Sequence, residues 1–168
     1  MYEDNNINIP IKGYKVRIYR EDFNFSAGHI SIFQNDLETL HGHNYRVSVG
    51  LSGKLDDDFI LIDFRYIKKL LKNICNNLNH RILVPVLNSK IVITERDSIA
   101  KIATTLNNTQ FELPANNILC LQLPNISSEM LAYYIFNEIK KDLRDEERIE
   151  KLLVEIEESN GQSVIFEG

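Results

Sequence analysis

The chain has four histidines, and two of them fall in the run His41-Gly42-His43-Asn44-Tyr45. The residues that follow, Arg46-Val47-Ser48-Val49-Gly50-Leu51, alternate polar and apolar, as a half-buried β-strand does. Residues two apart on a strand share a face, so His41 and His43 project side by side with the side-chain-free Gly42 between them. Two imidazoles so placed are one ligand short of a catalytic zinc site. A bare His-x-His on a strand is equally a surface pair or a hydrogen-bonded core pair, so the metal reading depends on a third ligand.

His29 is the expected third. Tyr14–Arg20 and Asp22–His29 both alternate, which predicts one long strand bent near Glu21, with Phe23, Phe25, Ala27 and His29 on one face. Residues 30–40 form the loop to the next strand. In an antiparallel hairpin the end of the first strand lies beside the start of the second, which brings His29 to His41 and His43. Three neutral imidazoles ~2.0–2.1 Å from Zn²⁺ leave the fourth tetrahedral position for substrate or water. Without an anionic ligand the ion keeps its charge and can acidify a bound hydroxyl or polarise a carbonyl.

The elements that must position these residues follow in order. Residues 1–13 read as a loose lead-in to a single domain over 1–168. The second strand ends near Gly53, an acidic turn follows, and Asp63 is a helix N-cap. Phe64, Ile67, Leu70, Leu71, Ile74 and Leu78 then recur at helical spacing, and the helix fades at Asn79, just before His80. Ile91–Thr94 and Ile118–Leu123 are strand-like; between them Ser98–Leu106 fits either a hairpin strand or a short helix. A second helix starts at Asn125 or Ser127 and runs to about Leu143. Leu152–Glu157 and Ser163–Phe166 are strands joined by the turn Asn160-Gly161. The order is β-β-α, an irregular segment, then α-β-β, an α+β arrangement whose halves look like a loose duplication.

Composition narrows the function. At 168 residues, net charge −5 and pI near 5.4, the chain has no basic patch to neutralise nucleic-acid phosphates or a membrane surface. No apolar run approaches the roughly 20 residues that span a bilayer. Met1–Pro10 lacks the basic end and apolar core of a signal peptide. Two cysteines, Cys75 and Cys120, imply no disulfide framework, so a cytoplasmic setting is expected. Both read as packing residues rather than nucleophiles.

Six segments together resemble the 6-pyruvoyltetrahydropterin synthase family, which includes the bacterial 6-carboxytetrahydropterin synthases: Phe25–His29, Leu40–Tyr45, Ile62-Asp63-Phe64, Leu78-Asn79-His80, Ser127-Ser128-Glu129 and Glu155-Ile156-Glu157. The similarity runs from about residue 15 to the end and leaves an insertion at about 86–122 unexplained. The resemblance implies a T-fold, an antiparallel sheet with two helices packed on one face. It implies trimers stacked into a homohexamer with active sites between subunits. It implies Zn²⁺ on His29, His41 and His43, and 7,8-dihydroneopterin triphosphate as substrate. Glu157 matches the glutamate that anchors the pterin ring, and Ser127 and Glu129 match residues at a helix start. These last two are also a plain cap and first-turn dipole compensation.

Two departures bear on the reaction. Family members carry a catalytic Cys shortly before the His-Gly-His, whereas Leu37, Glu38, Thr39 and Leu40 stand here. Glu38 resembles a branch in which Glu replaces that Cys and the pterin side chain is cleaved to 6-hydroxymethyl-7,8-dihydropterin for folate synthesis, bypassing dihydroneopterin aldolase. The pyruvoyl or carboxy reaction is the alternative, and a pterin- and zinc-binding homologue without turnover is a third reading. The family's Asp-His pair is Asn79-His80; Asn can orient an imidazole but cannot stabilise its protonated form as a carboxylate does. Lys15, Arg17 and Arg81 are the candidates to meet the triphosphate.

Overall fold

The computed structural model describes residues 10–106, 109–144 and 146–168. Residues 1–9 of the expected lead-in lie outside them. The chain runs β1 (Tyr14–His29), β2 (Ile32–Phe33), β3 (Asp36–Leu37), β4 (His41–Gly53), α1 (Phe64–Leu78) and β5 (Arg81–Pro85). It continues through β6 (Ile91–Arg96), β7 (Ile99–Thr104), β8 (Gln110–Pro114), a short 3₁₀ turn, β9 (Ile118–Leu121), α2 (Ser128–Asp142), β10 (Ile149–Ser159) and β11 (Gln162–Glu167).

Six strands form the main sheet, in the order β11-β10-β4-β1-β5-β9. The first four are antiparallel. The sheet is nevertheless mixed rather than wholly antiparallel, because β5 runs parallel to β1 and β9 parallel to β5. Parallel neighbours need a long crossover, and the segment between Pro85 and Ile118 supplies it. That segment folds as a separate three-stranded antiparallel sheet, β6-β7-β8. Of the two readings of Ser98–Leu106, the strand is the one observed: β7 pairs with β6 and with β8.

The β1–β4 ladder contains a register shift between Tyr19 and Asn24, at the bend expected near Glu21. Upstream, Val16 and Ile18 oppose Leu51 and Val49; downstream, Phe25, Ala27 and His29 oppose Tyr45, His43 and His41. Residues directly opposite share a face. The inward positions of β1 therefore change from even to odd across the shift, while β4 keeps one parity throughout. Ile18, Phe23, Phe25, Tyr45, Val47, Val49 and Leu51 are all buried.

Both helices cover this inward face. Asp63 caps α1 by accepting from the Arg65 N–H at 2.8 Å, and Ile67, Leu71, Ile74, Cys75 and Leu78 turn into the core. Ser127 caps α2, which buries Leu131, Ala132, Ile135, Phe136 and Ile139. The α2 macrodipole is complemented by Glu129 in its first turn and Lys140 and Lys141 in its last.

Gly42 pairs directly with Gly28 across the β1–β4 ladder. A Cβ there would come 2.5 Å from the Ala27 carbonyl oxygen and 2.9 Å from the Gly28 Cα, both backbone atoms. Gly42→Ala should therefore cost about 1–3 kcal/mol of stability, as overpacking does, measured by urea denaturation. Gly50→Ala, whose added carbon would meet nothing nearer than Leu153 Cβ at 3.4 Å, should change the midpoint far less.

Candidate metal centre

His29 and His41 are directly paired across the ladder, and His43 lies opposite Ala27, one same-face step along β4. Their ring centroids are 4.5 Å (His29–His41), 5.3 Å (His29–His43) and 4.9 Å (His41–His43) apart. One nitrogen from each ring can be chosen so that all three lie within 4.8 Å of one another. Nitrogens sharing one tetrahedral zinc at ~2.0–2.1 Å stand roughly 3.4 Å apart, so small rotations of the two less buried rings suffice.

The hydrogen bonds favour a metal. His29 is 5% exposed, and neither of its ring nitrogens has a hydrogen-bond partner. A buried polar group left so costs about 1–3 kcal/mol, and a cation offers the missing partner. His41 Nδ1 lies 2.6 Å from the Thr39 carbonyl oxygen. Because a carbonyl only accepts, Nδ1 carries the proton and donates, which leaves Nε2 with its lone pair free for a ligand. His43 Nε2 meets Glu158 Oε1 at 3.2 Å. Burial, followed by the neighbouring His41 and His43, pushes His29 below its ordinary value, which keeps it neutral as a ligand must be.

Two carboxylates act on this cluster. Glu158 and Glu38 each oppose the lowering at His29. Both also raise the phenol of the buried Tyr45, after the larger effect of burial itself. Tyr45 stacks on Phe25 at 4.7 Å and sets its edge against His43 at 5.5 Å. Its hydroxyl thus stays protonated at the floor of the site. Glu38 is exposed on the loop between β3 and β4, and its backbone N–H donates to the Ser31 carbonyl at 3.0 Å.

The other expected site residues are not gathered here within one chain. Glu157 lies on the opposite face of the sheet, 3.4 Å from Arg46 Nη1. Glu158, which the sequence reading passed over, takes the place by the histidines. The signal was available: Leu152, Val154 and Ile156 are the inward residues of β10, and the same alternation reaches 158. Asn79 Oδ1 accepts from the Ser26 N–H at 2.8 Å and ties the end of α1 to β1. His80, at positive φ, is exposed and lines a depression of about 460 Å³ with Ser26, His43, Asn44, Arg81 and Asn117. Ser127 caps its helix by accepting from the Met130 N–H, and Glu129 stays exposed. Arg17 pairs with Glu155 at 2.8 Å on the far face, and Lys15 is exposed. Cys75 is buried in the core with its thiol pushed up to about 12 by burial; Cys120 is exposed on β9.

The family model for 6-pyruvoyl tetrahydropterin synthase matches residues 17–168. The chain belongs to the 6-pyruvoyl tetrahydropterin synthase family. A relative from Methanocaldococcus jannaschii, provisionally assigned as a 6-carboxy-5,6,7,8-tetrahydropterin synthase, is 31% identical over 145 residues, covering 84% of this chain and 88% of its own. The 6-carboxy-5,6,7,8-tetrahydropterin synthase of Haemophilus influenzae is 28% identical over 129 residues, covering 73% and 81%. Among solved structures, the Plasmodium falciparum 6-pyruvoyl tetrahydropterin synthase superposes with a TM-score of 0.87 at 27% identity, covering 94% of this chain and 98% of its own. A match that broad takes in most of the 86–122 segment. The Plasmodium vivax protein gives 0.86 at 25% identity, covering 92% and 97%. Two further structures of that protein carry Ala or Cys in place of a glutamate described as a catalytic residue. The fold is thus that of this synthase family, and no helix among the described residues is long and apolar enough to cross a membrane.

Purified protein should carry about one zinc per chain by elemental analysis, and His29→Ala should abolish it. The metal-free protein should also lose stability as pH falls below about 6.5. There the unfolded chain protonates residue 29 before the folded chain does, so folding becomes less favourable. Urea midpoints at pH 7.5 and 5.5 should differ, and His29→Leu should shrink that difference.

Proposed function

We propose that this chain is a zinc-dependent enzyme that cleaves the side chain of 7,8-dihydroneopterin triphosphate to give 6-hydroxymethyl-7,8-dihydropterin, with Glu38 as the proton carrier. The observation that carries the reading is the three-imidazole cluster with Glu38 three residues ahead of His41 on the loop that enters β4, in a chain whose cysteines are in the core and on β9. A catalytic glutamate in the Plasmodium vivax relative is in keeping with a carboxylate in that role.

His29, His41 and His43 would hold the ion, which when bound supplies positive charge that acidifies a substrate hydroxyl. Glu38 accepts the proton of the 2′-hydroxyl as general base. The freed oxygen electrons form an aldehyde carbonyl at C2′, the C1′–C2′ bond breaks, and its electron pair passes into the pterin ring. Glu38 returns the proton to C1′, completing the hydroxymethyl group, and the two-carbon aldehyde leaves with the triphosphate. Glu158, beside His43, is better situated than Glu157 to accept two parallel N–H bonds from the amino-pyrimidine edge of the ring. The Tyr45 hydroxyl, held protonated, can donate but cannot serve as the base.

His80 lines the same depression as His43 of its own chain, whereas Ser127 and Glu129 sit at the start of α2. The family resemblance supports a homohexamer with sites between subunits, in a cytoplasmic setting; sedimentation should give six chains. A 6-carboxytetrahydropterin synthase is the second reading, favoured by the names of the archaeal and Haemophilus relatives.

Product analysis decides between them. Zinc-loaded protein incubated with dihydroneopterin triphosphate should yield 6-hydroxymethyl-7,8-dihydropterin by chromatography. Glu38→Ala should lower kcat by roughly 10²–10⁴, the usual worth of a general base. Exclusive formation of a 6-pyruvoyl or 6-carboxy product would overturn the reading, and binding without any product would leave only a pterin-binding protein.

A further inference from the structure

The three-stranded sheet β6-β7-β8 carries none of the residues assigned above, yet it is packed against the segment that holds Glu38. A second hydrophobic cluster, separate from the main core, is built on Ile30, Val84 and Ile102. Leu37, immediately before Glu38, and Leu40, two residues after it, both pack against this cluster. All three inserted strands line one small space with Leu37, among them Ile91 from β6, Ile102 from β7 and Phe111 from β8.

Polar bonds hold the rest of the segment. Asn125 clamps Ile32 from both sides, accepting from its N–H at 3.0 Å and donating to its carbonyl at 3.1 Å. Ile30 N–H donates to the Leu83 carbonyl at 3.0 Å. Lys90, just ahead of β6, donates to the Asn35 side chain at the tight β2–β3 turn, where Gln34 and Asn35 both have positive φ. Glu38 itself is exposed, so its carboxylate is aimed by the backbone on either side of it. A base must be held within a fraction of an ångström of its proton, and a loop achieves this only with a supporting shell.

We propose that the inserted sheet is the positioning element for Glu38, and that Phe111 is a positioning residue acting through Leu37. This rests on the Glu38 role proposed above. It gives the 86–122 segment a function that neither metal nor substrate binding requires.

The test uses full-length zinc-loaded protein carrying Phe111→Ala, with Phe111→Leu as the milder variant should the first fail to fold. Zinc content and melting temperature are measured alongside. Phe111→Ala should lower kcat about tenfold with KM little changed, the size expected when a reacting group is misplaced. In a Glu38→Ala background the same change should have almost no further effect, since the two act as one unit. Amide exchange over residues 31–40 should rise in both metal-free and zinc-loaded protein, while that of β1 and β4 stays as it was. Phe111→Leu should restore most of the rate. Equal losses in both backgrounds, or unaltered kcat and exchange in a folded, zinc-loaded variant, would overturn the proposal. If Glu38→Ala is fully active, the Glu38 role itself is wrong and positioning falls with it; the exchange data would still report whether the sheet holds the loop.

Discussion

The register shift in the β1–β4 ladder is the constraint on which the site depends. A strand has a side-chain period of two, so an odd slip sends every residue to the other face. Val16 and Ile18 must point inward at one end of β1, and Phe23, Phe25 and Ala27 at the other. These sets have opposite parity, and an unbroken ladder would bury one and expose the other. The irregularity between Tyr19 and Asn24 lets both be buried. Its consequence downstream is that His29 arrives on the same face as His41 and His43. Without the shift, His29 would emerge on the side of Ser48, Glu155 and Glu157.

Burial then sets the chemistry of the cluster. His29 is enclosed by the same packing that secures Phe25 and Tyr45, and it has no protein hydrogen-bond partner. Its charged form is therefore disfavoured, and its lone pair is available. The two carboxylates at the edge are carried differently. Glu158 extends the inward row of a central strand, so its place follows from the sheet. Glu38 sits on a loop, and its place follows from what packs around that loop. One acid is thus placed by a strand of the main sheet and the other by a loop and the side chains packed around it.

The histidine cluster was legible because it needed only local inference. Alternation gave the strands, a hairpin gave their pairing, and three of the four histidines converged. Helix ends were legible for similar reasons: Asp63 and Ser127 are the caps, as expected. At Glu157 motif and strand parity point to different acids. Motif matching selected the acid in Glu155-Ile156-Glu157, but strand parity counted from Leu152, Val154 and Ile156 points to 158. At Asn79 the side chain accepts from the Ser26 amide, a long-range bond that no local pattern signals. The parallel strands β5 and β9 were not legible either, because strand direction in a sheet depends on a crossover whose path has no local signature.

What the sequence determined by itself was the alternation of each strand, the helix caps and the proximity of three imidazoles, all set by residues near one another along the chain or joined by one hairpin. The tertiary structure alone decided which acid meets His43, how the inserted sheet bears on the Glu38 loop, and why Glu157 lies on the opposite face of the sheet. Those outcomes depend on sheet register and on packing between residues 60 or more positions apart, such as Leu37 with Phe111 and His43 with Glu158. Local propensity has no term for either.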